Sequence, residues 1–582
     1  MYYTPTRWRL INIPSMTARW IFKGSPEPGA VQELASEAGF HPIIAAMLME
    51  RGIDSPAKLR QYFRPTLDDL HDPFLMRDME KAIGRILKAL QNKEKILIYG
   101  DYDVDGTTAV ALVFGYLRNY HSEIDFYIPD RYKEGYGLSR QGIDFAAQGG
   151  FSLLISLDCG IKAVDMTDYA VDKGIDIIIC DHHLPGDRLP RAVAILNPKQ
   201  PGCPYPFKEL SGCGVGFKLI QALCDRQHCD PDILSDFLDL VAVSIAADIV
   251  PITGENRILA FNGLKKLNTN PRPGFEALMK SAGMRDEVNI SGIVFGIGPR
   301  INASGRMDHA KTAVELLLAD DYTEIRLLTE NLDDKNAQRK NYDSTITHEA
   351  LQMIESDTSF KLTKSTVLFK DDWHKGVIGI VASRCLDKHY RPTIILTKAN
   401  GKATGSARSV DGFDIYQAIS ACSDLLEQYG GHMYAAGLTM DLDKVNAFKE
   451  RFEKIVAERI LDEQLIPLIE VDALIDLELI DYQFYNTLKS MAPFGPGNMQ
   501  PVFVTNDLHA CGRPRILKEE HLKVTVQQGK TGVKLDAIGF GMAQYYDLVA
   551  SGMPFSMAYH IEENNFMGNS SLQLRVKDLR FD

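Results

Sequence analysis

The segment from about residue 80 to about residue 260 alternates short apolar runs with helical patterns, and this alternation constrains the fold most strongly. The runs, in order, are KILIYG, EIDFYIPD, FSLLISLD, IDIIICD and AVAILN. Short apolar runs rich in β-branched residues, separated by helical patterns, are typical of strands buried on both faces of a parallel sheet. We therefore predict an α/β domain with a ligand site beyond the carboxyl ends of its strands.

Acidic residues and histidines occur where these runs end. Four separate segments supply them: Asp101, Asp103 and Asp105 after KILIYG, Asp158 after FSLLISL, Asp181, His182 and His183 after IDIIIC, and Asp248 in the apolar segment LVAVSIAADIVP. The carboxyl ends of parallel strands share one edge of a sheet, so we expect these groups to converge on one site, with Asp248 buried.

Such a concentration of acids predicts bound metal ions. Carboxylates crowded at low dielectric resist ionisation, and a buried, unpaired carboxylate is costly. Oxygen ligands with one or two imidazoles suit Mn²⁺ or Mg²⁺, and the lack of cysteine ligands argues against structural zinc. Two such ions, about 3.5–4 Å apart and bridged by one carboxylate, are typical of phosphoryl-transfer sites. The sequence thus favours metal-dependent hydrolysis of a phosphodiester.

Taken singly, these motifs have plainer interpretations. DYDVDG resembles the start of a calcium loop, but the twelfth position, Leu112, is not the required glutamate. A lone aspartate after a strand is more often a helix N-cap than a ligand. SGCGVGFKL lacks the spacing of a phosphate loop, and the scattered cysteines lack the paired spacing of a zinc site. The joint pattern favours the metal site.

Four motifs carry a family resemblance. DYDVDG, SLDCG, DHH and AADIVP resemble the motifs of the DHH phosphoesterase superfamily. Downstream, GPRINASGR (298–306), WHKGVIGIVASR (373–384), GGHMYAAG (430–437) and MAPFGPGNMQPVF (491–503) resemble its RecJ family of bacterial exonucleases. The likeness extends from about residue 50 to the last residue. It implies a single-stranded-DNA-specific 5′→3′ exonuclease that acts in DNA recombination and repair.

The resemblance also implies roles within the acidic cluster. The implied metal ligands are Asp101, Asp103, Asp105, Asp158, His182 and Asp248. Asp103, helped by Asp101, would hold one divalent ion, and Asp105, His182 and Asp248 the other. Asp158 would bridge both ions, and His183 would face the scissile phosphate. Asp158, His182, His183 and Asp248 are therefore the expected catalytic residues.

Substrate contacts are implied as well. Arg131 in PDRYKEGYG and the pair Ser406 and Arg408 in GSARS would hold the DNA near its 5′ phosphate, because a planar guanidinium can bind phosphate through two bonds. A surface salt bridge is the alternative for each arginine.

Two further arginines and a histidine are weaker candidates. We expect Arg300 and Arg306 in a Gly-rich loop that enters a connecting helix, where they would follow the DNA backbone or cap an interface. His432 follows two glycines, which permit close approach to a phosphate or base, although a tight turn alone would explain them.

The pattern divides into five predicted regions. They are a mostly helical segment 1–75, a DHH catalytic domain 76–310, a connecting helix 311–357, a second α/β, DHH-associated substrate-binding domain 358–462, and a small antiparallel OB-fold-like barrel 463–582. We expect a groove between the two α/β lobes that admits a single strand and excludes a duplex. Barrel residues that could add contacts, or form only a solvated loop, are Arg513, Arg515, Lys518 and His521.

The net charge of −13 provides no overall basic field for nucleic acid, so the DNA would be held by a local basic patch or by bound cations. Nine scattered cysteines suit reduced thiols in the cytoplasm. The N-terminus lacks the pattern of a signal peptide, and no apolar run predicts a membrane span. We expect a monomer assisted by a helicase and a single-strand-binding protein.

Two other functions remain as alternatives. One is a DHH enzyme for smaller substrates, such as an oligoribonuclease, a pApA phosphatase or a pyrophosphatase, although such chains are shorter and lack the barrel. The other is a catalytically inactive scaffold that only binds DNA or a replication partner. Such relatives lose metal ligands, whereas every ligand position here holds an Asp or His.

Overall fold

The structure is a computed structural model that describes residues 18–529, 532–566 and 569–581. It divides into two compact units. Residues 60–342 and 493–499 form one, which we call the parallel-sheet unit. The described parts of 1–59, 343–492 and 500–582 form the other, which we call the barrel unit.

The first part of the chain supplies the parallel sheet and most of the helices. Its elements are β1 (Arg19–Phe22), α1 (Pro28–Ala38), α2 (Pro42–Glu50), α3 (Pro56–Phe63), α4 (Met79–Asn92), β2 (Ile96–Gly100), α5 (Val104–Leu117), β3 (Ile124–Tyr127), α6 (Arg140–Gly149), β4 (Leu153–Leu157), α7 (Val164–Asp172), β5 (Asp176–Cys180), β6 (Ala194–Leu196), α8 (Gly212–Gln227), α9 (Asp232–Ser235), α10 (Leu238–Ala247), α11 (Gly254–Thr269), α12 (Pro273–Ser281), α13 (Ile290–Gly292), α14 (Gly298–Met307), α15 (Lys311–Leu318) and α16 (Tyr322–Ser356).

The parallel-sheet unit is built on a sheet with strand order β3-β2-β4-β5-β6, and every pairing in it is parallel. Alternate strand residues enter two separate cores. Ile96 and Ile98 lie in one core, and Leu97 and Tyr99 lie in the other. Strands β2 and β4 are buried along their whole length. The predicted α/β fold with a parallel sheet is therefore confirmed.

The register of this sheet sets the position of the site. Gly100 at the end of β2 pairs with Leu157 of β4, and Leu157 pairs with Cys180 of β5. The next residues along the chain are Asp101, Asp158 and Asp181. Parallel strands in this register deliver all three to the same edge.

The second part of the chain supplies the remaining elements. They are β7 (Thr366–Phe369), α17 (Ile378–Lys388), β8 (Thr393–Ala399), β9 (Lys402–Arg408), α18 (Ile415–Ser420), β10 (Gln428–His432), β11 (Ala435–Met440), α19 (Val445–Arg459), β12 (Leu468–Val471), β13 (Ala473–Leu474), α20 (Tyr482–Ser490), β14 (Phe503–Ala510), β15 (Arg515–Leu517), β16 (His521–Gln528), β17 (Lys534–Gly539), α21 (Tyr546–Ala550), β18 (Phe555–Phe566) and β19 (Asn569–Phe581).

The barrel unit holds two larger sheets. The first has the order β10-β11-β9-β8-β7 and is mixed, since β7 and β8 are parallel while the other pairs are antiparallel. The second runs β14-β18-β19-β17-β16 and closes into a barrel because β16 also pairs with β14. We predicted an antiparallel barrel, but β17 and β19 pair in parallel. The connection between them contains α21 and β18, which allows the chain to return in the same direction.

One expectation about local structure was wrong, and one region contains an element that was not expected. The segment 1–75, predicted to be mostly helical, contains α1, α2 and α3, but it also contains strand β1, which pairs in parallel with β12, from the far end of the chain. The stretch GPRINASGR is not a loop but helix α14, preceded by a π-helical turn at Ile293–Ile297. Its Gly305 packs against Tyr102, where an added Cβ would lie 2.7 Å from the backbone oxygen. Residues 1–17, at the start of the predicted helical segment, lie outside the described residues.

In the parts of the chain that the structure describes, no helix has the length and apolar character needed to cross a membrane.

Candidate metal centre

Asp158, which follows β4, lies at the middle of the candidate site. Its φ is 59°, in the left-handed region that Asp tolerates better than most residues. The first residue of α8 packs directly on it, since a Cβ added to Gly212 would lie 2.6 Å from the Asp158 Cβ. The turn after β4 and the start of α8 therefore fix this carboxylate together.

Asp105, in the first turn of α5, is held by backbone donors. It accepts hydrogen bonds from the Gly212 and Cys213 amides, both at 2.7 Å, and from the Ser244 hydroxyl, also at 2.7 Å. The positive end of the α8 dipole thus faces this carboxylate and stabilises its charge.

His182 is oriented with one ring nitrogen towards the acids. Its Nδ1 donates to the Leu210 carbonyl at 3.0 Å, since a carbonyl can only accept. That tautomer leaves a free lone pair on Nε2, which can bind a metal ion. Nε2 lies 3.2 Å from Asp158 Oδ1, 3.5 Å from Asp248 Oδ2 and 3.8 Å from Asp105 Oδ2.

The acids and His182 fall into two groups with ligand atoms close enough to share an ion. Asp101, Asp103 and Asp158 form one group, and Asp105, His182 and Asp248 form the other, with ligand atoms within 4.8 Å of one another in each. The ligand atoms of Asp158, His182 and His183 also lie within 4.8 Å of one another. Because Asp158 belongs to the first group and His182 to the second, the two groups are adjacent.

The unpaired buried atoms of the centre fit divalent cations. Among the described residues, Asp101 Oδ1, Asp158 Oδ1 and His182 Nε2 are buried without a hydrogen-bond partner. A buried acceptor without a donor is costly, and a cation at each group would satisfy these atoms. Oxygen ligands with one imidazole suit Mn²⁺ or Mg²⁺.

The charge balance of the centre leads to the same conclusion. Burial, reinforced by neighbouring carboxylates, raises the pKa of Asp101 and of Asp158 well above the usual range. The same causes raise the pKa of Asp103, and they raise that of Asp248 to about 9. The protein alone therefore resists ionisation of all four acids, and bound cations would remove that resistance.

Asp248 was predicted to be buried within an apolar segment, and it is only partly buried. It caps the C-terminus of α10, with its side chain 29% exposed. The apolar residues before it are buried because they belong to α10, whereas Asp248 lies where the helix ends at the site.

Asp181 has a role that the sequence did not reveal. Its carboxylate accepts from the backbone amides of Ile161, His182 and His183 and from the His183 Nδ1 at 2.7 Å. Despite burial, these bonds and the His183 charge lower the pKa of Asp181 to about 2. In return, although burial opposes it, the Asp181 bond raises the pKa of His183. Asp181 thus orients His183 and favours its charged form.

Tyr136 is a second residue that the sequence analysis missed. Its hydroxyl donates to the Asp158 carbonyl at 3.1 Å and lies 3.4 Å from the ring nitrogens of His183. Glycines on both sides, Gly135 and Gly137, have φ of 87° and 80°. This glycine pair around an aromatic residue was the only sequence signal for it.

The arginines of the parallel-sheet unit differ in environment. The Arg131 guanidinium lies 4.9 Å from the centroid of the Tyr102 ring, and its charge opposes the rise in the Asp101 pKa. Arg306 lies in the last turn of α14, and its charge opposes the rise that burial causes in the Tyr102 pKa. Both lie near the metal centre.

Arg300 is used differently. Its Nε donates to Asp333 at 2.7 Å and to Ser281, and its other nitrogens donate to the Gly296 and Ser281 carbonyls. These bonds tie α14 to α12 and α16. The geometry argues against the predicted substrate role of Arg300 and favours a structural one.

The remaining predicted contacts lie in the barrel unit. Arg408, on β9, donates to the Ser406 hydroxyl at 3.1 Å, and burial lowers its pKa. Helix α17 packs closely on this pair, since a Cβ on Gly379 would lie 2.9 Å from the Ser406 Oγ. His432 ends β10 and is exposed.

The barrel candidates lie in and beside the β15–β16 hairpin. Arg513 donates to the Tyr546 hydroxyl at 2.9 Å, and the His521 ring lies 5.2 Å from that of Phe540. Arg515 is exposed, and Lys518 has a positive φ in the turn.

Three family descriptions match separate parts of the chain. Residues 95–245 match the DHH family, N-terminal domain, residues 362–458 match the DHHA1 domain, and residues 471–578 match the RecJ OB domain. Together with the sheets described above, these matches confirm the predicted combination of folds.

Curated relatives match over nearly the whole chain. The single-stranded-DNA-specific exonuclease RecJ of Bacillus subtilis is 37% identical over 564 residues, which cover 96% of this chain and 70% of that protein. The enzyme of the same name from Haemophilus influenzae is 34% identical, covering 92% of this chain and 96% of its own length.

A solved structure of high similarity is that of RecJ in complex with Mn²⁺ from Thermus thermophilus. It has a TM-score of 0.83 and 27% identity, and the match covers 97% of this chain and 80% of that one. A second structure, of RecJ with Mg²⁺, has a TM-score of 0.77 and 26% identity over 97% of this chain and 78% of that one. With these metals and the ligand groups above, the prediction of a divalent cofactor is confirmed. This chain therefore belongs to the RecJ family of the DHH phosphoesterases.

Proposed function

We propose that this chain is a metal-dependent exonuclease that degrades single-stranded DNA in the 5′→3′ direction and acts in DNA recombination and repair. One observation carries the proposal: two adjacent ligand groups meet at one sheet edge with buried, unpaired acceptor atoms. The relatives named as single-stranded-DNA-specific exonucleases support the substrate.

Two divalent cations, Mn²⁺ or Mg²⁺, would be held by these groups. Asp101 and Asp103 would bind one, Asp105, His182 and Asp248 the other, and Asp158 would be shared. When bound, such ions neutralise charge on the phosphate and make water more acidic. The protein's own contribution is to hold the ligands in place: α8 fixes Asp105 and Asp158, and Leu210 fixes the His182 tautomer.

His183 would act on the phosphate directly. Asp181 holds its ring and favours its protonated form, so a positive charge is already placed where negative charge develops during hydrolysis. Tyr136 contacts both His183 and the Asp158 backbone and would hold these two residues in a fixed relative position.

Each unit, taken by itself, has candidate contacts for DNA. Arg131 and Arg306 are the candidates near the metal centre, and Ser406, Arg408 and His432 are the candidates in the barrel unit. Arg408 suits a phosphate because burial disfavours its charge unless an anion is nearby. Arg300 is not among these candidates, because its donors bind Asp333 and the Gly296 carbonyl within the fold.

We also propose a cytoplasmic monomer that works with a helicase and a single-strand-binding protein. The nine free cysteines support a reducing compartment. A single-strand nuclease needs another protein to open a duplex, which supports the helicase.

The test uses single strands labelled at the 5′ or the 3′ end, incubated with the enzyme and Mn²⁺. A 5′→3′ enzyme releases the 5′ label at once as a mononucleotide, while the 3′-labelled strand shortens gradually. Asp158→Ala should lower the rate by at least about 100-fold, since it removes the shared ligand. Asp125→Ala, an exposed acid on β3, is the matched control and should retain full activity.

Other outcomes would contradict the proposal. Hydrolysis of dinucleotides but not of long strands would indicate a smaller-substrate DHH enzyme. DNA binding without hydrolysis at any Mn²⁺ concentration would indicate a scaffold.

A further inference from the structure

The turn after Asp248 is strained and exposed. Ile249 has a φ of 58°, a conformation that β-branched residues rarely adopt, and the residue is 63% exposed. Such a conformation persists only where the surrounding structure holds it. Because Ile249 follows Asp248 directly, whatever holds this turn also sets the direction of the Asp248 carboxylate.

One side of the turn is held by the first residues of α11. Asn256, fully buried, donates to the Pro251 carbonyl at 3.0 Å and to the Glu209 carbonyl. Glu255 is buried in an ion pair with Lys218 at 3.1 Å. The base of the turn is thus anchored within the parallel-sheet unit.

The other side is held by a segment from far along the chain, residues 493–499, which we call the latch. The latch belongs to the parallel-sheet unit, although the residues before and after it belong to the barrel unit. The Ile252 amide donates to the Pro496 carbonyl of the latch at 2.6 Å. Gly495 and Asn498 exchange two backbone hydrogen bonds, so the latch is a tight turn.

The contact between latch and turn leaves no room for side chains on the latch glycines. A Cβ on Gly495 would lie 2.6 Å from the Ile252 Cγ1. A Cβ on Gly497, which has a φ of 73°, would lie 2.9 Å from the Thr253 Cγ2. The two glycines of the sequence FGPGN are therefore explained by this close approach.

Polar contacts seat the latch in a buried socket. Asn498 is 2% exposed, and its Oδ1 accepts from the Tyr62 hydroxyl at 2.8 Å. Its Nδ2 donates to the Pro493 carbonyl, which also accepts from Arg257 Nη1 at 3.3 Å. Arg257 in turn lies 3.8 Å above the Tyr62 ring. Buried polar groups with satisfied hydrogen bonds favour a single geometry, so these contacts fix the position of the latch.

We propose that the latch is a positioning element for the metal ligand Asp248, and that it sets the affinity of the group Asp105, His182 and Asp248 for its cation. The inference rests on the proposed function, which assigns Asp248 to that cation. Supporting groups behind a metal ligand commonly change metal affinity by about 10- to 100-fold when they are altered. The latch does this through the backbone of residues 249–253.

The test compares three variants of the full chain. Gly495→Ala adds a methyl group against Ile252, and Tyr62→Phe removes the hydrogen bond to Asn498 while keeping the ring. Gly84→Ala is the matched control, since Gly84 lies on α4 of the same unit with nothing within 4 Å of an added Cβ. For each, calorimetric titration gives the number of Mn²⁺ bound and their dissociation constants, and the melting temperature is measured without metal.

We expect Gly495→Ala and Tyr62→Phe to weaken one of two Mn²⁺ sites by about 10-fold while the other is unchanged. Nuclease activity should be lost at low Mn²⁺ and rescued at high Mn²⁺, and Gly84→Ala should behave as the unaltered protein. If Gly495→Ala does not fold, Tyr62→Phe decides the result. Unchanged Mn²⁺ affinity in the folded variants, or an equal loss at both sites, would overturn the inference.

Asp248→Ala separates this inference from the function on which it rests. If it still binds two Mn²⁺ with unaltered affinity, the assignment of Asp248, and with it the metal centre as proposed, is wrong. If it loses one ion while the latch variants keep both affinities, only the positioning role of the latch is wrong.

Discussion

Asp248 has an unusual protonation state for an acid with a partly exposed side chain. Burial and the charges of Asp105 and Asp103 raise its pKa to about 9, whereas an ordinary aspartate has 3.8. Between these two values the folded chain without metal binds more protons than the unfolded chain. Folding stability then falls as the pH rises through this interval.

This gives a prediction for the metal-free protein. Its melting temperature should fall when the pH is raised from about 6 to about 8.5, and the fall should be smaller in Asp248→Asn, which cannot ionise. Mn²⁺ should raise the melting temperature more at the higher pH, because it binds the ionised form. Calorimetry with and without chelator measures all three, and a melting temperature that rises with pH would contradict the assignment.

The start of helix α8 is the element that joins the two ligand groups. Its first amides bind Asp105, while Gly212 packs against Asp158. A helix can approach so closely only where its first residue lacks a side chain. The element therefore positions one ligand from α5 and one from the turn after β4.

We expect Gly212→Ala to destabilise the fold by about 1–3 kcal/mol, because its Cβ would overlap Asp158. It should also weaken Mn²⁺ binding. Gly84→Ala on α4, where nothing lies within 4 Å of the added Cβ, is the control, with little change expected in either quantity. Urea unfolding and Mn²⁺ titration check both, and equal behaviour of the two variants would contradict this role of α8.

At the scale of elements, the sequence pattern correctly predicted the features that depend on residues close together in the chain. The strands β2, β4 and β5 followed from apolar runs, and the acids after them followed from the shared edge of a parallel sheet. The stretch GPRINASGR misled because glycines usually signal loops, whereas Gly305 here permits close packing of a helix on Tyr102. Asp181 and Tyr136 were missed because their roles depend on hydrogen bonds to other site residues.

At the scale of the whole molecule, contacts between distant parts of the sequence were beyond prediction. The pairing of β1 with β12 and the parallel pairing of β17 with β19 join segments with no shared local signal. The motif MAPFGPGNMQPVF was recognisable, but its neighbour, the turn after Asp248, was not. Periodicity reports which face of an element is buried and not which element covers it.

Because the net charge is −13, DNA binding depends on a few positively charged side chains and on bound metal ions. Binding should therefore weaken with added salt, and each phosphate contact should contribute to the slope. Arg408→Ala should weaken binding of single strands and reduce the salt dependence by about one unit of the slope, with Mn²⁺ affinity unchanged. Fluorescence anisotropy at several salt concentrations measures this, with Arg451→Ala, an exposed arginine paired with Asp424, as the control. An unaltered slope would mean that Arg408 does not contact the 5′ phosphate of the DNA.

The latch makes the parallel-sheet unit discontinuous in sequence. A fragment cut at the ends of residues 60–342 would retain every acid and histidine of the metal centre, yet it would lack 493–499 and expose Ile252 and the Tyr62 hydroxyl. Dissection of this enzyme into separately expressed domains thus cannot follow the linear order of the motifs, and a minimal nuclease would need the distant peptide grafted back onto it.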